Sequence, residues 1–485
     1  MTADRASSTS APSPATARST DAVAASWSPL TALEIVDPRD FGAKGNGIAD
    51  DTAALRRAVA SLKQTGGVVF VADGLVYKTT DVVRIDGDHI KLWARSGRGR
   101  ILAATGGAER RQAVVCQDVA GCGVHGVRFK SDASRRLLAL EDSQVVFDGA
   151  TDGEAVGLEI EGSASAAIFV YGRSTRTFVE GNYIHHSWSD SVHFTNGSRQ
   201  AWVWGNTFFN GSSTKGDDGV ACVTYGSDRL CGDMEWWDNR HLGTAWGRGF
   251  SVVGGERIHI HGNFARGTAG AGILVASEPS YDTPGSSGIT IQNNVLFQTG
   301  QVVPHAGILV SALSGPISDV TVKNNLVVQS ANGESFRKEG DTRGVTASNT
   351  TSSAALLPAR LPDIADGPRP TNTDVLKTRD ASFVPAQNRR GLYRIHVQRS
   401  ANGAAFEQRF EYVIAGPPAA LDRWLGADGS IQLVEAATRG SERVAVVLTP
   451  RPVTVPSELR AVGFPELRAG DNDGSLADLW ATLHP

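Results

Sequence analysis

A short pattern of alternating apolar and polar residues returns several times between residues 178 and 325, and each copy ends in asparagine. The copies read FVEGN (178–182), WVWGN (202–206), WWDN (236–239), IHIHGN (258–263), ITIQNN (289–294) and VTVKNN (320–325). Their last residues, Asn182, Asn206, Asn239, Asn263, Asn294 and Asn325, are 24, 33, 24, 31 and 31 residues apart. Alternation is typical of half-buried strands, and a period of this size indicates a repeat architecture. The pattern therefore predicts a β-solenoid.

Stacking of the coils turns repeat phase into spatial adjacency. One coil cannot bury its own apolar edge, so each coil must pack on the next at the spacing between strands, about 4.8 Å. Equivalent positions of successive repeats then become neighbours. We therefore expect the six asparagines to form a ladder at one corner, in which the side-chain amides hydrogen-bond from coil to coil.

A second repeated pattern places charged residues in one column of this solenoid. It reads Asp190-Ser-Val-His, Asp218-Gly-Val-Ala and Arg248-Gly-Phe-Ser on three coils, and alanine takes the first position on the next two coils, at Ala271 and Ala306. A charged column that changes to alanine predicts a site that is confined to these three coils.

Composition excludes some partners. The 485 residues include 47 Lys+Arg and 51 Asp+Glu, so the net charge is −4 and there is no basic excess for nucleic acid or an anionic membrane. No window approaches the roughly 18 apolar residues of a membrane span. Residues 1–34 are rich in Ala, Ser and Thr, lack the apolar region of a secretory signal, and are predicted to be a disordered leader.

Four cysteines fall into two close pairs, Cys116 with Cys122 and Cys222 with Cys231. The second pair brackets a loop directly after the acidic motif, and a disulfide there is possible if the protein works outside the cytoplasm. Small buried fillers of the solenoid interior are an equally good interpretation.

The N-terminal part predicts a cap for the solenoid. A Gly-rich turn over 37–52 leads into a helix from Ala53 to about Lys63, with Asp50 or Asp51 as the residue that caps it. The strings DFGAKGNGIADDTAAL (40–55) and GGVVFVADGLVY (66–77) resemble the opening of the pectate lyase-like right-handed parallel β-helix superfamily. Polygalacturonases, some lyases and epimerases, and phage tailspike depolymerases share this fold, so the resemblance implies a fold and not a reaction.

The expected organisation is all-β. A right-handed parallel β-helix with an N-terminal capping helix spans 35–330, linker or rim loops span 331–380, and a small C-terminal β module spans 381–485. The module's expected strands are 391–399, 408–416, 430–436 and 443–450, because these segments alternate like half-buried strands. Capping of the last coil is the preferred role of the module, with carbohydrate binding and trimerisation as alternatives.

The charged column is similar to the site of the polygalacturonase-type (family 28) glycoside hydrolases. SDS at 189–191, GDDG at 216–219 and GRGFSVVGG at 247–255 stand where that family has its three site motifs. The resemblance implies that Asp190 is the first aspartate and that Asp217 and Asp218 are the pair, with Asp190 as general base and Asp218 as general acid. Arg248 replaces the family's histidine. Leu274-Val275-Ala276 replaces its uronate-binding Arg-Ile-Lys, so galacturonan is not implied as substrate.

Elementary chemistry points to the same residues. Carboxylates one coil apart lie about 5 Å from each other at the backbone, and their side chains can splay to the roughly 6.5–9.5 Å of an inverting hydrolase. Like charges at this distance raise one pKa, which keeps an acid protonated beside a base. Arg248 would neutralise the remaining carboxylate or a substrate anion. The competing interpretation is a structural corner, in which Arg248 is the salt-bridge partner of turn aspartates.

Several residues around the column are candidates for substrate binding. They are the aromatic residues Trp188, Tyr225, Trp246 and Tyr281, together with His193, Arg248 and Glu278. Aromatic faces stack on sugar rings, and two long loops beside the column would form the walls of a cleft. No metal site and no cofactor are predicted from the spacing of His, Cys and Asp, although calcium held by the aspartates stays open.

The leading hypothesis is a polysaccharide-degrading glycoside hydrolase. One alternative is a lyase or epimerase that abstracts the proton beside a uronate carboxylate, with Arg248 binding the anion and His193 or an acid as base. The other is a non-catalytic glycan-binding or tailspike-like attachment protein. The expected partner is a polysaccharide or oligosaccharide, the chain is expected to be a monomer or a homotrimer, and the substrate class favours an extracellular or virion-associated place.

Overall fold

The computed structural model describes residues 35–94, 99–104, 113–137, 142–210, 216–348, 350–353, 393–399, 406–427, 429–439, 441–449 and 456–461. The expected leader at 1–34 and residues 354–380 of the expected linker lie outside these ranges.

Each coil of the solenoid contributes up to three short strands, which stack into three parallel columns. The first column contains Val83–Ile85, Val114–Gln117, Val145–Asp148, Ile168–Tyr171, Val192–Phe194, Val220–Val223, Phe250–Val253 and Ile273–Ser277. The second contains Ile35–Val36, Gly67–Phe70, Ile90–Trp93, Gly123–His125, Glu154–Val156, Thr175–Glu180, Arg199–Trp204, Cys231–Trp237, Gly255–His261, Ser286–Gln292 and Thr346–Ser348. The third contains Asn46–Asp50, Val76–Thr79, Arg100–Ala103, Arg128–Ser131, Glu159–Glu161, Tyr183–His185, Thr207–Phe209, Arg240–His241, Phe264–Arg266, Val295–Phe297, Leu326–Val328 and Thr351–Ser353.

Two long strands, Ile308–Lys323 and Phe336–Arg343, run from the first column into the second and join these columns into one sheet. Alternation decides which side chains face the interior. In Gly255–His261, for example, Ile258 and Ile260 are buried in the continuous core of the solenoid, whereas His259 and His261 face outward. The predicted parallel β-solenoid is confirmed.

The predicted asparagine ladder is also confirmed. The Nδ2 of each asparagine donates to the Oδ1 of the next, at 2.9 Å for Asn182 to Asn206, 2.8 Å for Asn206 to Asn239, and 3.0 Å for each later step up to Asn325. Each Nδ2 also donates to a backbone carbonyl of the preceding coil, as Asn239 does to Val203 at 2.9 Å. These buried amides therefore satisfy polar groups at a corner that is closed to solvent.

We expect Asn239→Ala to lower the free energy of unfolding by about 3 kcal/mol, because it leaves buried donors and acceptors without partners. Denaturant unfolding followed by circular dichroism measures this change. The partly exposed Asn332, whose hydrogen bonds reach only the neighbouring Glu334, gives the control variant Asn332→Ala, which should change the stability much less. Equal stabilities of the two variants would contradict a structural role of the ladder.

The N-terminal helix Thr52–Ser61 closes the first coil. Its buried face includes Leu55 and Val59, and it packs against the strand Val83–Ile85. Asp50 Oδ1 accepts a hydrogen bond from the backbone N–H of Thr52 at 3.0 Å, as expected of a capping residue. Asp51 instead accepts from the backbone N–H groups of Lys44 and Gly45, so it fixes the Gly-rich turn.

The solenoid extends further than the boundary at 330 that the sequence suggested. Phe336–Arg343, Thr346–Ser348 and Thr351–Ser353 pair in parallel with the coil before them. Their outward positions are polar and mostly exposed, which hides the repeat in the sequence. The last described strand of the solenoid therefore ends at Ser353.

The C-terminal segment forms an antiparallel sheet. Its strands are Tyr393–Arg399, Phe406–Gly416, Gln432–Arg439, Glu442–Thr449 and Arg460–Ala461. The four strands expected from alternation are present. A helix, Pro418–Ala427, was not expected and packs its buried Leu421 against this sheet.

Both cysteine pairs are disulfide-bonded and buried, Cys116 to Cys122 and Cys222 to Cys231. The two interpretations that the sequence left open therefore hold together, since the sulfur atoms fill the interior and also cross-link the chain. Within the described residues, neither α-helix could serve as a membrane-spanning segment.

Candidate active site

The candidate site lies in the turns that lead from the third column into the first. Parallel pairing aligns Val192 with Val220 and Val220 with Phe250. The residues two positions earlier, Asp190, Asp218 and Arg248, therefore line up on three neighbouring coils. This is the arrangement that the repeat phase predicts.

Each aspartate of the column is held by the coil that follows it. Asp190 Oδ1 accepts a hydrogen bond from the backbone N–H of Asp218 at 2.9 Å, and its Oδ2 lies 2.6 Å from His193 Nδ1. Asp218 Oδ1 accepts from the backbone N–H of Arg248 at 2.7 Å, and its Oδ2 accepts from the hydroxyl of Ser251. Both carboxyl groups are buried and fixed in orientation.

Two arginines border the remaining aspartate. Asp217 Oδ2 accepts from Arg136 at 3.0 Å, and Asp217 Oδ1 lies 3.8 Å from the guanidinium of Arg248. This Oδ1 is buried and has no hydrogen-bond partner among the described residues. Arg248 also lies 3.7 Å from Asp218 Oδ1 and pairs with Glu278 at 3.2 Å. The arginines therefore compensate part of the charge of three neighbouring acids.

The three aspartates bring their carboxylate oxygens close together. One carboxylate oxygen from each of Asp190, Asp217 and Asp218 lies within 4.8 Å of the others. These oxygens approach one another because the hydrogen bond from the backbone N–H of Asp218 turns the side chain of Asp190 toward the next coil. Oxygen ligands in such a cluster suit calcium. The guanidinium groups of Arg136 and Arg248 already supply positive charge here, so calcium stays an expectation.

Burial changes the acidity of the pair. It is the largest cause that raises the pKa of Asp218, to about 8, and the neighbouring charges of Asp217 and Asp190 add to it. Burial and Asp190 also raise the pKa of Asp217, against the opposing effect of the two arginines. Because the two carboxyl groups interact strongly, they titrate as one unit. The pair therefore retains a proton at neutral pH.

Three of the predicted binding residues form one aromatic row beside Asp190. His193 is buried and stacks between Phe169, at 5.2 Å between ring centroids, and Tyr225, at 6.3 Å. Tyr281 meets Tyr225 edge to face at 5.8 Å. Burial raises the pKa of Tyr225, with the charge of Asp190 as the next cause. The row therefore runs from an imidazole beside the carboxylates to the half-exposed ring of Tyr281.

The other predicted binding residues lie in the turns that hold Asp190 and Arg248, or in the loop that holds Tyr281. Trp246 is 58% exposed and precedes Arg248 by two residues, so its ring is available for stacking. Trp188 is half-buried and donates its indole N–H to the carbonyl of Ala133 at 3.1 Å. Glu278 takes part through its ion pair with Arg248.

Two residues of the site were missed from the sequence. Arg136 stands 81 residues before Asp217 in an irregular early segment, so no repeat phase points to it. Ser251 lies three residues after Arg248 within GRGFSVVGG, and the alignment of this segment with the column contained the signal.

Comparisons with known proteins agree with the fold. Residues 143–355 match a family model described as "Right handed beta helix region". Endo-xylogalacturonan hydrolase from Aspergillus tubingensis is 13% identical, with a TM-score of 0.50 over 66% of this chain and 92% of that chain. The protein is therefore a right-handed parallel β-helix protein, as predicted, and an identity this low shows the fold alone.

Two further solved structures have the same likeness at lower scores. The catalytic unit of a GH87 alpha-1,3-glucanase from Streptomyces thermodiastaticus is 19% identical, with a TM-score of 0.49 over 63% of this chain and 58% of that chain. The surface adhesin PfbA from Streptococcus pneumoniae is 11% identical, with a TM-score of 0.48 over 66% of this chain and 92% of that chain. No curated protein sequence matches this chain.

Proposed function

We propose that the protein is a polysaccharide-degrading glycoside hydrolase whose acid–base chemistry is carried by Asp190, Asp217 and Asp218. The observation that carries this proposal is the cluster of three carboxyl groups within 4.8 Å, in which burial raises the pKa of two. Hydrolysis of a glycosidic bond needs one carboxyl group that is protonated at working pH and another that acts as base or nucleophile.

The proton of the pair reaches the substrate through Asp217. Asp218 has both oxygens engaged, by the backbone N–H of Arg248 and the hydroxyl of Ser251, and its side chain is 6% exposed. Asp217 is 15% exposed and has one oxygen without a hydrogen-bond partner among the described residues. We therefore assign the donation to Asp217, in place of the Asp218 that the family resemblance implies. The raised pKa of Asp218 keeps a proton on the pair at neutral pH.

Asp190 serves as the base. His193 Nδ1 and the backbone N–H of Asp218 hold its two oxygens, so its position relative to the pair is fixed. A base that is already oriented loses little entropy when the reaction begins. Arg136 and Arg248 offset part of the charge of the acids.

A lyase or epimerase is the second candidate, and His193 favours it. The Nε2 of His193 is buried and has no hydrogen-bond partner among the described residues. The guanidinium groups of Arg136 and Arg248 lie beside Asp217, and in this candidate they bind the carboxylate of a uronate. In that case the imidazole would take the proton beside the carboxylate, and Arg248 would bind the anion.

A panel of acidic and neutral polysaccharides tests the proposed function. We expect new reducing ends from one of them, with no product that absorbs in the near ultraviolet. An unsaturated, ultraviolet-absorbing product would establish the lyase. Binding of a polysaccharide without any change in its chain length would establish the attachment protein and overturn the hydrolase.

A further inference from the structure

A second cluster of chemically active side chains lies on the second column, away from the turns that hold the aspartates. His259 and His261 are two positions apart on the strand Gly255–His261, so both face outward while Ile258 and Ile260 face the core. Pairing with Cys231–Trp237 places Glu235 directly beside His259 on the preceding coil. Two imidazoles and one carboxylate therefore meet on one surface.

The donor atoms are already close to the geometry of a bound ion. Glu235 Oε1 lies 2.9 Å from His261 Nε2 and 3.9 Å from His259 Nδ1, and one donor atom from each residue lies within 4.8 Å of the others. A tetrahedral zinc ion with bonds of about 2.0–2.1 Å holds its donors about 3.4 Å apart. The two measured distances lie on either side of this value, so small rotations of the side chains complete the site.

We propose that Glu235, His259 and His261 bind a zinc ion that bridges two neighbouring coils. Imidazole nitrogen and carboxylate oxygen are ligands that zinc takes together, and three protein ligands leave one position for water. The proposal does not depend on the hydrolase, since none of the three residues belongs to the aspartate site.

The surroundings agree with a binding site. The side chains of Glu235, His259 and His261 are 28%, 34% and 25% exposed, so an ion can enter from solvent. Trp237 stacks on His261 with 5.9 Å between ring centroids and an angle of 3°, which holds the imidazole in orientation. His259 Nε2 is buried without a hydrogen-bond partner among the described residues, so the opposite nitrogen, Nδ1, is the one that faces Glu235.

One nearby charge opposes the ion and supplies a test. The ammonium group of Lys323 acts on His259 electrostatically. A positive charge that acts on His259 also weakens the binding of a cation there. The change Lys323→Gln should therefore strengthen zinc binding, whereas an adventitious site elsewhere on the surface would not respond to it.

Calorimetric titration of the full chain, produced without a histidine tag and stripped of metal, tests the proposal with zinc chloride. We expect one zinc ion per chain, with affinity weakened at least about tenfold in each of His259→Gln, His261→Gln and Glu235→Gln. His125→Gln is the matched control. His125 Nε2 pairs with Glu154 at 2.7 Å in a similar outward position on an earlier coil, so this variant should bind like wild type.

Thermal unfolding gives a second readout that does not use activity. Zinc should raise the melting temperature of the wild type and of His125→Gln, and raise that of His261→Gln less at the same zinc concentration, because an ion that binds only the folded chain stabilises it according to its affinity. Circular dichroism shows whether each variant is folded, and Glu235→Gln keeps the shape of the side chain if a histidine variant does not fold. No zinc binding by the wild type would overturn the proposal. So would binding that survives in all three ligand variants and is lost in Asp217→Asn.

Discussion

Replacing Asp217 by asparagine should lower the turnover number about 100-fold or more on the polysaccharide that the panel identifies. The amide keeps the shape of the side chain and cannot deliver a proton to the glycosidic oxygen. Steady-state kinetics should show the loss in kcat, with little change in KM, because the missing interaction is made in the transition state. Asp282→Asn, an exposed aspartate in the loop beside Tyr281, is the matched control and should stay near wild type.

The pH dependence of kcat tests whether the pair acts in its protonated form. The acid works only while the pair holds its proton, so wild-type kcat should fall as the pH rises through about 8, the raised pKa of Asp218. Asp217→Asn should lose this dependence and recover turnover on an aryl glycoside, whose leaving group needs no proton. Near wild-type turnover of Asp217→Asn on the polysaccharide would show that Asp217 does not donate the proton and would contradict its assignment as the acid.

Asp190→Asn should also lower kcat about 100-fold or more, since it removes the base while the hydrogen bonds of Asp218 and His193 can still be made. Here an activated leaving group should give no recovery, because the missing step is the attack and not the departure of the sugar. The same aryl glycoside therefore serves as the discriminating measurement. Recovery of Asp190→Asn on this substrate would contradict its role as base and exchange the roles of the acids.

Repeat phase was sufficient for the part of the site that lies within the coils. Asp190, Asp218 and Arg248 could be aligned from the sequence because parallel strands at fixed register convert equal phase into contact. Arg136 could not be found in this way, since it reaches Asp217 from a segment without a repeat. The distance between the acids was also beyond the sequence, because it depends on which backbone N–H turns the side chain of Asp190.

Other misses have equally local causes. Glu235 lies four residues before Asn239, and His259 lies four residues before Asn263, so the repeat phase already aligned these two side chains and their pairing was overlooked. The helix Pro418–Ala427 begins with proline and spaces Leu421, Trp424 and Leu425 as one helical face, so its signal is present in the sequence. The alternating segments on both sides of this helix led to the expectation of an all-β module, and the helix was therefore missed.

The asparagine ladder has a direction. Every amide in it donates toward the C-terminal coil and accepts from the N-terminal one, starting at the backbone N–H of Leu158 and ending at the hydroxyl of Thr350. Aligned amides polarise one another, so each added asparagine strengthens the hydrogen bonds between its neighbours. A whole coil can therefore be inserted or removed without leaving an inner amide unpaired. The length of such a protein is decided by what terminates its two ends.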